Sequence, residues 1–383
     1  MTGQVLSVAS ECLGLIKTGG LADVVAALPA ALAGQGWRMR VMLPAYPGLL
    51  EGLKNGQVVW SVDDLFGGPA RVVAGQAAGL DVLLLDAPHL FDRKGGPYGG
   101  AQGDHADNPE RFAALSWAAA EIARHGTAEG WKPDLLHAHD WQAGLAPAYL
   151  RYGADEGVKT LITIHNIAFQ GIADEKKIEF LKLPRESFTP DGFEFWGKVS
   201  ALKAGLVTAD AITTVSPTYA AELMRPEFGM GLEGVIARRA GDVHGILNGV
   251  DTEIWNPETD NSIAPYSWKK TSGKARNKLI LQDEFGLVDA SGPVAVLVSR
   301  LTWQKGIDLL PAALAPFVEA GGSLAVLGSG DKELETALTE AAALYPGRVS
   351  VRIGYDEALS HRMFAGGDTV LVPSRFEPCG LTQ

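Results

Sequence analysis

Several short stretches combine a cationic side chain with glycine, a combination that suits phosphate binding. Lys17 stands in the stretch KTGG, between an apolar segment and a helical pattern. Glycines let backbone N–H groups approach an anion closely, and the N-terminus of a following helix favours negative charge. An ordinary strand–helix turn with a solvated lysine has the same residues, and KTGG matches neither a dinucleotide fingerprint nor a Walker loop. Alone, the stretch leaves both interpretations open.

A second stretch, SRLTWQKG, places Arg300 and Lys305 five residues apart, directly after an apolar segment. Cations that leave a sheet interior are costly unless an anion meets them. Arginine suits bidentate phosphate binding, whereas lysine acts as a point charge. The stretch predicts a phosphate clamp; the alternative is a surface helix cap.

The stretch PSRFEPCGLTQ puts Glu377 in a proline-flanked loop after another apolar strand. The residues after it are predicted to open a helix whose N–H groups could hold a phosphate; they are Cys379, Gly380, Leu381 and Thr382. A capping or surface role for Glu377 fits the sequence equally well.

Polar side chains also end the strands of HAHDW and TIHNIAFQG. His137 and His139 alternate on one strand face, as a metal pair would, but no third ligand stands at a plausible spacing, so we expect no metal. Asp140 and Trp141 suit a sugar, because a carboxylate accepts hydroxyl groups and an indole packs on apolar sugar faces. His165 ends the next strand; a purely structural histidine is the alternative.

These stretches lie in a pattern of apolar strands alternating with helices, which predicts parallel sheets covered on both faces. The segments VVWSV, ARVVAG and LDVLLLD indicate short strands in a β-rich insertion. The pattern lapses from Asn248 to about Lys274, a predicted linker. We therefore predict two doubly wound α/β domains, 1–250 and 251–383. Ligands of such sheets bind outside the carboxyl ends of the strands, so if the sheets face each other across a cleft, Lys17 and Lys305 point into it.

Composition limits the partners. The chain has 383 residues, 46% apolar and 20% charged, with a net charge of −12. That charge argues against nucleic acid and anionic membranes. Cys12 and Cys379 give neither a disulfide framework nor a zinc cluster. No apolar run approaches a membrane span, and the N-terminus lacks a signal-peptide pattern, so we expect a cytoplasmic protein.

Taken together, KTGGLADV, HAHDWQAGL, TIHNIAFQG, ILNGVD with WNPETD, SRLTWQKG and PSRFEPCGLTQ resemble bacterial glycogen synthases and plant starch synthases. The resemblance runs in order over essentially the whole chain. It implies two Rossmann-like domains of the GT-B fold, with acceptor side 1–250 and nucleotide-sugar side 251–383. It also implies transfer of glucose from ADP-glucose to the non-reducing end of an α-1,4-glucan, with retention of anomeric configuration, and neither a metal nor a cofactor.

The resemblance implies roles for first-domain residues. Lys17 and Gly20 are expected to contact the donor diphosphate and glucose, with Asp23 in the same loop. The glucosyl group is held by Asp140, His165 and Asn248. Tyr98, in GGPYGG, matches a loop residue near the sugar and acceptor.

In the second domain, Arg300 and Lys305 match the diphosphate clamp of the family and Glu377 its cleft carboxylate. Tyr355, in RIGYDE, matches the aromatic residue that stacks on adenine. The stretch 379–382 matches the N-terminus of the phosphate-binding helix.

Two departures from the family accompany these matches. The loop ASECLGLIKTGG lacks the usual aromatic residue and proline before the lysine. The chain also ends at Gln383, whereas family members continue for roughly a further fifth of their length, so we expect a fragment with an incomplete second sheet.

The expected mechanism is electrostatic. Arg300, Lys305 and Lys17 would stabilise the departing diphosphate. No nucleophile pair stands at the spacing of a retaining glycosidase, which favours front-face attack by the acceptor hydroxyl. The alternatives are an inactive glucan-binding remnant and a relative that uses UDP-glucose or is a sucrose-type synthase.

Overall fold

A computed structural model describes residues 3–100, 103–153, 157–288 and 292–383 of the chain. The chain divides into two compact units, Met1–Asn248 and Gly249–Gln383. Both are α/β units with parallel sheets, as the alternating pattern predicts.

The first unit is built on a sheet in the order β14-β13-β9-β8-β1-β2-β5-β4-β3. Pairs from β14 to β5 are parallel, and β5, β4 and β3 pair antiparallel. The predicted β-rich insertion is therefore an extension of the main sheet. The strands are β1 (Gly3–Val8), β2 (Trp37–Pro44), β3 (Lys54–Val62), β4 (Ala70–Ala77), β5 (Leu80–Asp86), β8 (Leu135–His139), β9 (Lys159–Ile164), β13 (Ala211–Thr214) and β14 (Val243–Gly245).

Shorter strands and the helices complete this unit. Two strands form a small hairpin, β6 (Gly99–Gly100) with β7 (Gly103–Asp104), and three form a small antiparallel sheet, β10 (Ile172–Asp174), β12 (Lys198–Ser200) and β11 (Glu194–Phe195). The helices are α1 (Gly20–Ala33), α2 (Pro88–Phe91), α3 (Asn108–His125), α4 (Leu145–Tyr152), α5 (Ala201–Thr208), α6 (Pro217–Glu222) and α7 (Glu233–Arg238). Helix α3 buries twelve of its side chains, which explains its alanine-rich sequence.

The second unit contains a parallel sheet in the order β17-β16-β15-β18. Its strands are β15 (Val294–Val298), β16 (Ser323–Gly328), β17 (Val349–Ile353) and β18 (Thr369–Val370), and its helices are α8 (Ser272–Phe285), α9 (Leu310–Glu319), α10 (Lys332–Ala343) and α11 (Glu357–Gly366). Strand β16 is buried along its whole length, as expected for a strand covered on both faces.

The predicted linker lacks helix and strand from Asn248 to Thr271, and α8 begins at the next residue, Ser272. In the part of the chain that the structure describes, no helix is long and apolar enough to cross a membrane.

Candidate active site

The KTGG turn is held by a carboxylate of the chain itself. Glu11, in the loop after β1, is 3% exposed and accepts hydrogen bonds from the Thr18 hydroxyl (2.6 Å), the Gly19 N–H (3.1 Å) and the Thr18 N–H. Helix α1 follows directly, at Gly20. The Thr18 and Gly19 amides, which the sequence suggests as phosphate ligands, thus bind Glu11 instead.

Lys17 projects from the same turn. Its Nζ lies 2.9 Å from Oδ1 of Asp23, in the first turn of α1, and the two side chains are 26% and 35% exposed. The predicted residues Lys17, Gly20 and Asp23 are thus brought together, with the lysine positioned by a neighbouring carboxylate.

Tyr98 joins this group from the loop between α2 and α3. Its hydroxyl donates to Glu11 and lies 2.8 Å from the Ser10 hydroxyl. Burial, followed by the Glu11 charge, raises the pKa of Tyr98 well above its usual value, so the phenol stays protonated. The fully buried Arg111 fixes the loop by donating to the carbonyl oxygens of Leu90 (2.8 Å) and Pro97 (2.9 Å).

A row of buried polar side chains crosses the carboxyl ends of three neighbouring strands. The Ser7 hydroxyl lies 3.1 Å from Nε2 of His139, and Nδ1 of His139 lies 3.0 Å from Nε2 of His165. Burial lowers the pKa of His165 to about 3 and that of His139 well below its usual value. His165 is therefore a neutral imidazole whose orientation is set by His139.

His137 lies on the same strand as His139 and binds Thr163, with 2.6 Å between Nε2 and the hydroxyl. Among the described residues, no group of three or more His, Cys, Asp or Glu side chains could hold a metal ion.

Asp140 occupies the turn after β8 in a left-handed conformation (φ 53°). Its Oδ1 accepts the N–H groups of His165 (2.6 Å) and Asn166 (3.3 Å), which ties the ends of β8 and β9 together. Burial raises the pKa of Asp140 to about 7, against the opposing effect of these two bonds. The Trp141 ring packs edge-on against the Phe112 ring, with 5.0 Å between the two centroids.

In the second unit, the loops after β15 and β18 meet through an ion pair. Nζ of Lys305 lies 2.6 Å from Oε1 of Glu377, and both side chains are 19% exposed. The Ser374 hydroxyl donates to the same oxygen at 2.6 Å. Lys305 and Glu377, which are 72 residues apart in the sequence, thus form an ion pair at the strand ends.

Glycine allows these two loops to approach closely. Gly306 has a φ of 67°, and a Cβ atom there would lie 2.1 Å from the Pro373 carbonyl oxygen. The loops also share a bond from the Arg375 N–H to the Gln304 carbonyl oxygen at 2.9 Å. Arg375 is further held by Asp308, at 2.7 and 2.8 Å.

Three further predicted residues are Arg300 and Tyr355 in the second unit and Asn248 in the first. Arg300 and Tyr355 are exposed, and the Tyr355 hydroxyl donates to Glu357. Asn248 follows β14 at the end of the first unit.

The predicted helix opening at Cys379, Gly380, Leu381 and Thr382 is not present in residues up to Gln383. A turn occupies this position, closed by a bond from the Gln383 N–H to the Gly380 carbonyl oxygen (2.9 Å), with Gly380 left-handed (φ 78°). An α-helical bond to the Gly380 carbonyl oxygen would come from an N–H four positions further on, whereas this turn closes over three positions.

Comparison with known proteins gives the family. The family model for the starch synthase catalytic domain matches residues 4–238 of the sequence. A glycogen synthase of Cereibacter sphaeroides is 63% identical over 381 residues, 100% of this chain and 79% of that protein. A glycogen synthase of Paracoccus denitrificans is 59% identical, over 99% of this chain and 79% of its own length.

Solved structures agree. The catalytic domain of starch synthase IV from Arabidopsis thaliana, bound to ADP and acarbose, has a TM-score of 0.87 at 31% identity, covering 100% of this chain and 80% of that one. Sucrose-phosphate synthase from Thermosynechococcus elongatus, at 20% identity and a TM-score of 0.59, shares the fold.

The two Rossmann-like units and the structural match define a glycosyltransferase of the GT-B class. The chain belongs to the glycogen synthase family, which carries the starch synthase catalytic domain. Its activity is hexosyl transfer in glycogen synthesis, from a sugar nucleotide to a glucan acceptor.

Proposed function

We propose that the donor is ADP-glucose and that glucose is transferred to the non-reducing end of an α-1,4-glucan with retention of configuration. The observation that best supports this proposal is the ion pair between Lys305 and Glu377 at the strand ends of the second unit, with 2.6 Å between Nζ and Oε1. The Arabidopsis starch synthase IV structure was solved with ADP, which supports adenine as the base.

In the second unit, Arg300 and Lys305 bind the donor diphosphate. Glu377 holds Lys305 at a fixed position, so little reorganisation is needed when the phosphate arrives. Tyr355 is exposed and stacks on adenine. Amide groups of Cys379, Gly380, Leu381 and Thr382 complete the phosphate contacts.

In the first unit, Lys17, Gly20 and Asp23 contact the diphosphate and glucose, with Lys17 held by Asp23. The glucosyl group is bound by Asp140, His165 and Asn248. Because His165 is neutral, it binds a sugar hydroxyl without adding charge next to the developing oxocarbenium ion. Tyr98 supports the site by donating a hydrogen bond from its hydroxyl to Glu11.

The reaction is a front-face displacement. The bond from the anomeric carbon to the phosphate oxygen breaks, and the acceptor hydroxyl oxygen bonds to the same face of that carbon. The hydroxyl proton passes to the departing phosphate oxygen, so no protein nucleophile is required. Negative charge that develops on the diphosphate is stabilised by Lys305 and Arg300.

A donor competition assay tests this proposal. Radiolabelled ADP-glucose and UDP-glucose are offered with glycogen, and we expect incorporation from ADP-glucose to dominate. Preferential use of UDP-glucose would assign the chain to the other donor class. Absence of incorporation from either donor, with glycogen binding retained, would favour the glucan-binding alternative.

We also propose a cytoplasmic location, because a sequence with only two cysteines, Cys12 and Cys379, lacks the disulfide framework typical of secreted domains. Cell fractionation with an antibody against the chain tests this; recovery in an oxidising compartment would contradict it.

A further inference from the structure

The hydrogen-bonded row formed by Ser7, His139 and His165 has a direction, because each bond in it joins one donor to one acceptor. Ser7 lies on β1, His139 ends β8 and His165 follows β9, and these three strands are neighbours in the sheet. Ser7 and His139 are 0% exposed, and His165 is 9% exposed. Buried polar groups need hydrogen-bond partners, so the position of each proton in the row affects its stability.

Each imidazole in this row carries a single proton. Burial lowers the pKa of His165 to about 3 and that of His139 well below its usual value. A neutral imidazole has one N–H donor and one acceptor nitrogen. The bond of 3.0 Å between Nδ1 of His139 and Nε2 of His165 can therefore run in either of two directions. The two directions leave opposite groups at the ends of the row.

Ser7 decides between these directions. Of the residues that the structure describes, only His139 lies within hydrogen-bond distance of the Ser7 hydroxyl, with 3.1 Å between Oγ and Nε2. If His139 donated to Ser7, the buried hydroxyl proton would be left without an acceptor, which is unfavourable. If Ser7 donates to His139, every donor inside the row has an acceptor. The second direction is therefore the stable one.

The remaining nitrogen of His165 is then a donor. His139 accepts from Ser7 at Nε2 and donates from Nδ1, so His165 accepts at Nε2 and carries its proton on Nδ1. Within the described part of the chain, this Nδ1 has no hydrogen-bond partner. The backbone of His165 is fixed by Asp140, whose Oδ1 accepts its N–H at 2.6 Å. The row thus ends in a positioned N–H group that is not used by the fold.

We propose that Ser7 and His139 are positioning residues that set the tautomer of His165, so that its Nδ1–H donates to a hydroxyl of the transferred glucosyl group. A donor whose proton is already in place needs no reorganisation when the sugar binds. The opposite tautomer would present a lone pair, which accepts from a hydroxyl but cannot donate to it. This inference rests on the proposed binding of the glucosyl group by His165 and does not depend on the nucleotide of the donor.

Heteronuclear NMR of the parent chain, with its histidines isotopically labelled on nitrogen, tests the direction of the row. Long-range correlations between ring protons and ring nitrogens distinguish Nδ1–H from Nε2–H imidazoles. His139→Gln and His165→Gln assign the two rings by removing their signals. We expect both rings in the Nδ1–H form at neutral pH. A parent His165 in the Nε2–H form would overturn the proposal, whether or not any variant folds.

Ser7→Ala removes the donor that fixes the direction. His165 should then show a mixture of the two tautomers, and kcat/KM for the sugar-nucleotide donor should fall about tenfold. Ser7→Thr keeps a hydroxyl at this position and should restore the Nδ1–H form and most of the activity. An unchanged His165 tautomer in a folded Ser7→Ala variant would overturn the role of Ser7.

The matched control is Ser116→Ala. Ser116 is also 0% exposed and lies in the same unit, where its hydroxyl donates to the Gln142 carbonyl oxygen at 3.3 Å. The control loses the same atom and one buried hydrogen bond, but it lies outside the row. It should leave the tautomer of His165 and kcat/KM at parental values.

Donor analogues that each lack one glucose hydroxyl separate positioning from a general loss of structure. In the parent, the analogue without the hydroxyl bound by His165 should react about tenfold more slowly. In Ser7→Ala that penalty should shrink, because the bond is already impaired, whereas the penalties at the other positions should stay the same. Equal penalties at every position in the parent and in Ser7→Ala would overturn the proposal.

The two measurements distinguish a failure here from a failure of the proposed function. The NMR experiment needs no donor, and the analogues are made with whichever nucleotide the chain uses, so a wrong ADP-glucose assignment alters neither expected result. Nδ1–H rings in a parent that is insensitive to the loss of each hydroxyl would overturn the donation to the sugar.

Discussion

The buried carboxylate of Glu11 holds the hydroxyl of Thr18 at 2.6 Å and also accepts the Thr18 N–H. The glycine-containing turn before α1 is therefore shaped by an internal anion, and Lys17 leaves a turn whose backbone is already fixed. We therefore expect Glu11 to affect donor binding through the position of Lys17.

Glu11→Ala should destabilise the first unit by about 2 kcal/mol, because the partly buried donors of Thr18, Gly19 and Tyr98 lose a charged acceptor. Tyr98→Phe removes one hydrogen bond from the same carboxylate and should cost about 1 kcal/mol. Urea denaturation measures both. Equal costs for the two variants would show that Glu11 does not hold the turn.

Gly306→Ala should destabilise the second unit and lower transfer activity, because the new Cβ atom would meet the Pro373 carbonyl oxygen at 2.1 Å. Gly286→Ala is the matched control: its φ is 65°, and no atom lies within 4 Å of the added carbon. The control should cost about 1 kcal/mol from backbone strain alone. Similar losses of stability and activity in both variants would contradict the close approach of the two loops.

The buried histidines predict acid sensitivity. Burial lowers the pKa of His137 to about 4 and that of His165 to about 3, from 6.5. Their stabilising contribution is complete above pH 6.5 and is lost as the pH falls toward these values. Asp140, with its pKa raised from 3.8 to about 7, has the opposite sign: its contribution is present below pH 3.8 and is lost as the pH rises through 7.

Two histidines against one aspartate leave a net uptake of one proton on unfolding between pH 6.5 and 4. As the pH is lowered through this window, the free energy of unfolding should fall by about 1.4 kcal/mol per pH unit. The fall should be steeper if His139, whose pKa is also lowered, contributes as well. Urea denaturation at several pH values measures the slope. His137→Gln should flatten it, whereas His125→Gln, at a 66% exposed side chain, should not. A slope independent of His137 would contradict the assignment.

Tyr355→Ala should raise the KM for ADP-glucose about tenfold while leaving kcat comparatively unchanged, because stacking on adenine is equal in the ground and transition states. Tyr355→Phe keeps the ring and loses the bond to Glu357, so it should resemble the parent. Steady-state kinetics with ADP-glucose as the varied substrate measure both constants. A collapse of kcat at unchanged KM would remove Tyr355 from this role.

The sequence predicts the parallel sheets well, because strands such as β16 are buried on both faces and read as continuous apolar runs. Helix α8 escapes prediction because its buried side chains, Asn277, Leu281 and Phe285, form a narrow stripe within a polar segment. Hairpin β11–β12 escapes because a Trp-Gly turn lacks the usual turn residues.

The grouping of residues at the candidate site could be predicted in part from the sequence. Residues that follow strands, such as Lys305 and Glu377, are found together because parallel strands end at one edge. Glu11 was missed because its partners are largely backbone amides, which have no signature in residue type. An acid between the end of a strand and a glycine turn is the signal that could have revealed it.

The most direct test of the account is the transfer rate of Lys305→Ala, measured with radiolabelled ADP-glucose and glycogen. Loss of the cation that stabilises the departing diphosphate should lower kcat about a hundredfold, equivalent to about 3 kcal/mol. Lys332→Ala is the control, because Lys332 also pairs with a glutamate (2.7 Å to Glu335) but is 87% exposed, and it should retain parental turnover. A Lys305→Ala variant that folds and transfers glucose at nearly the parental rate would contradict the proposed site.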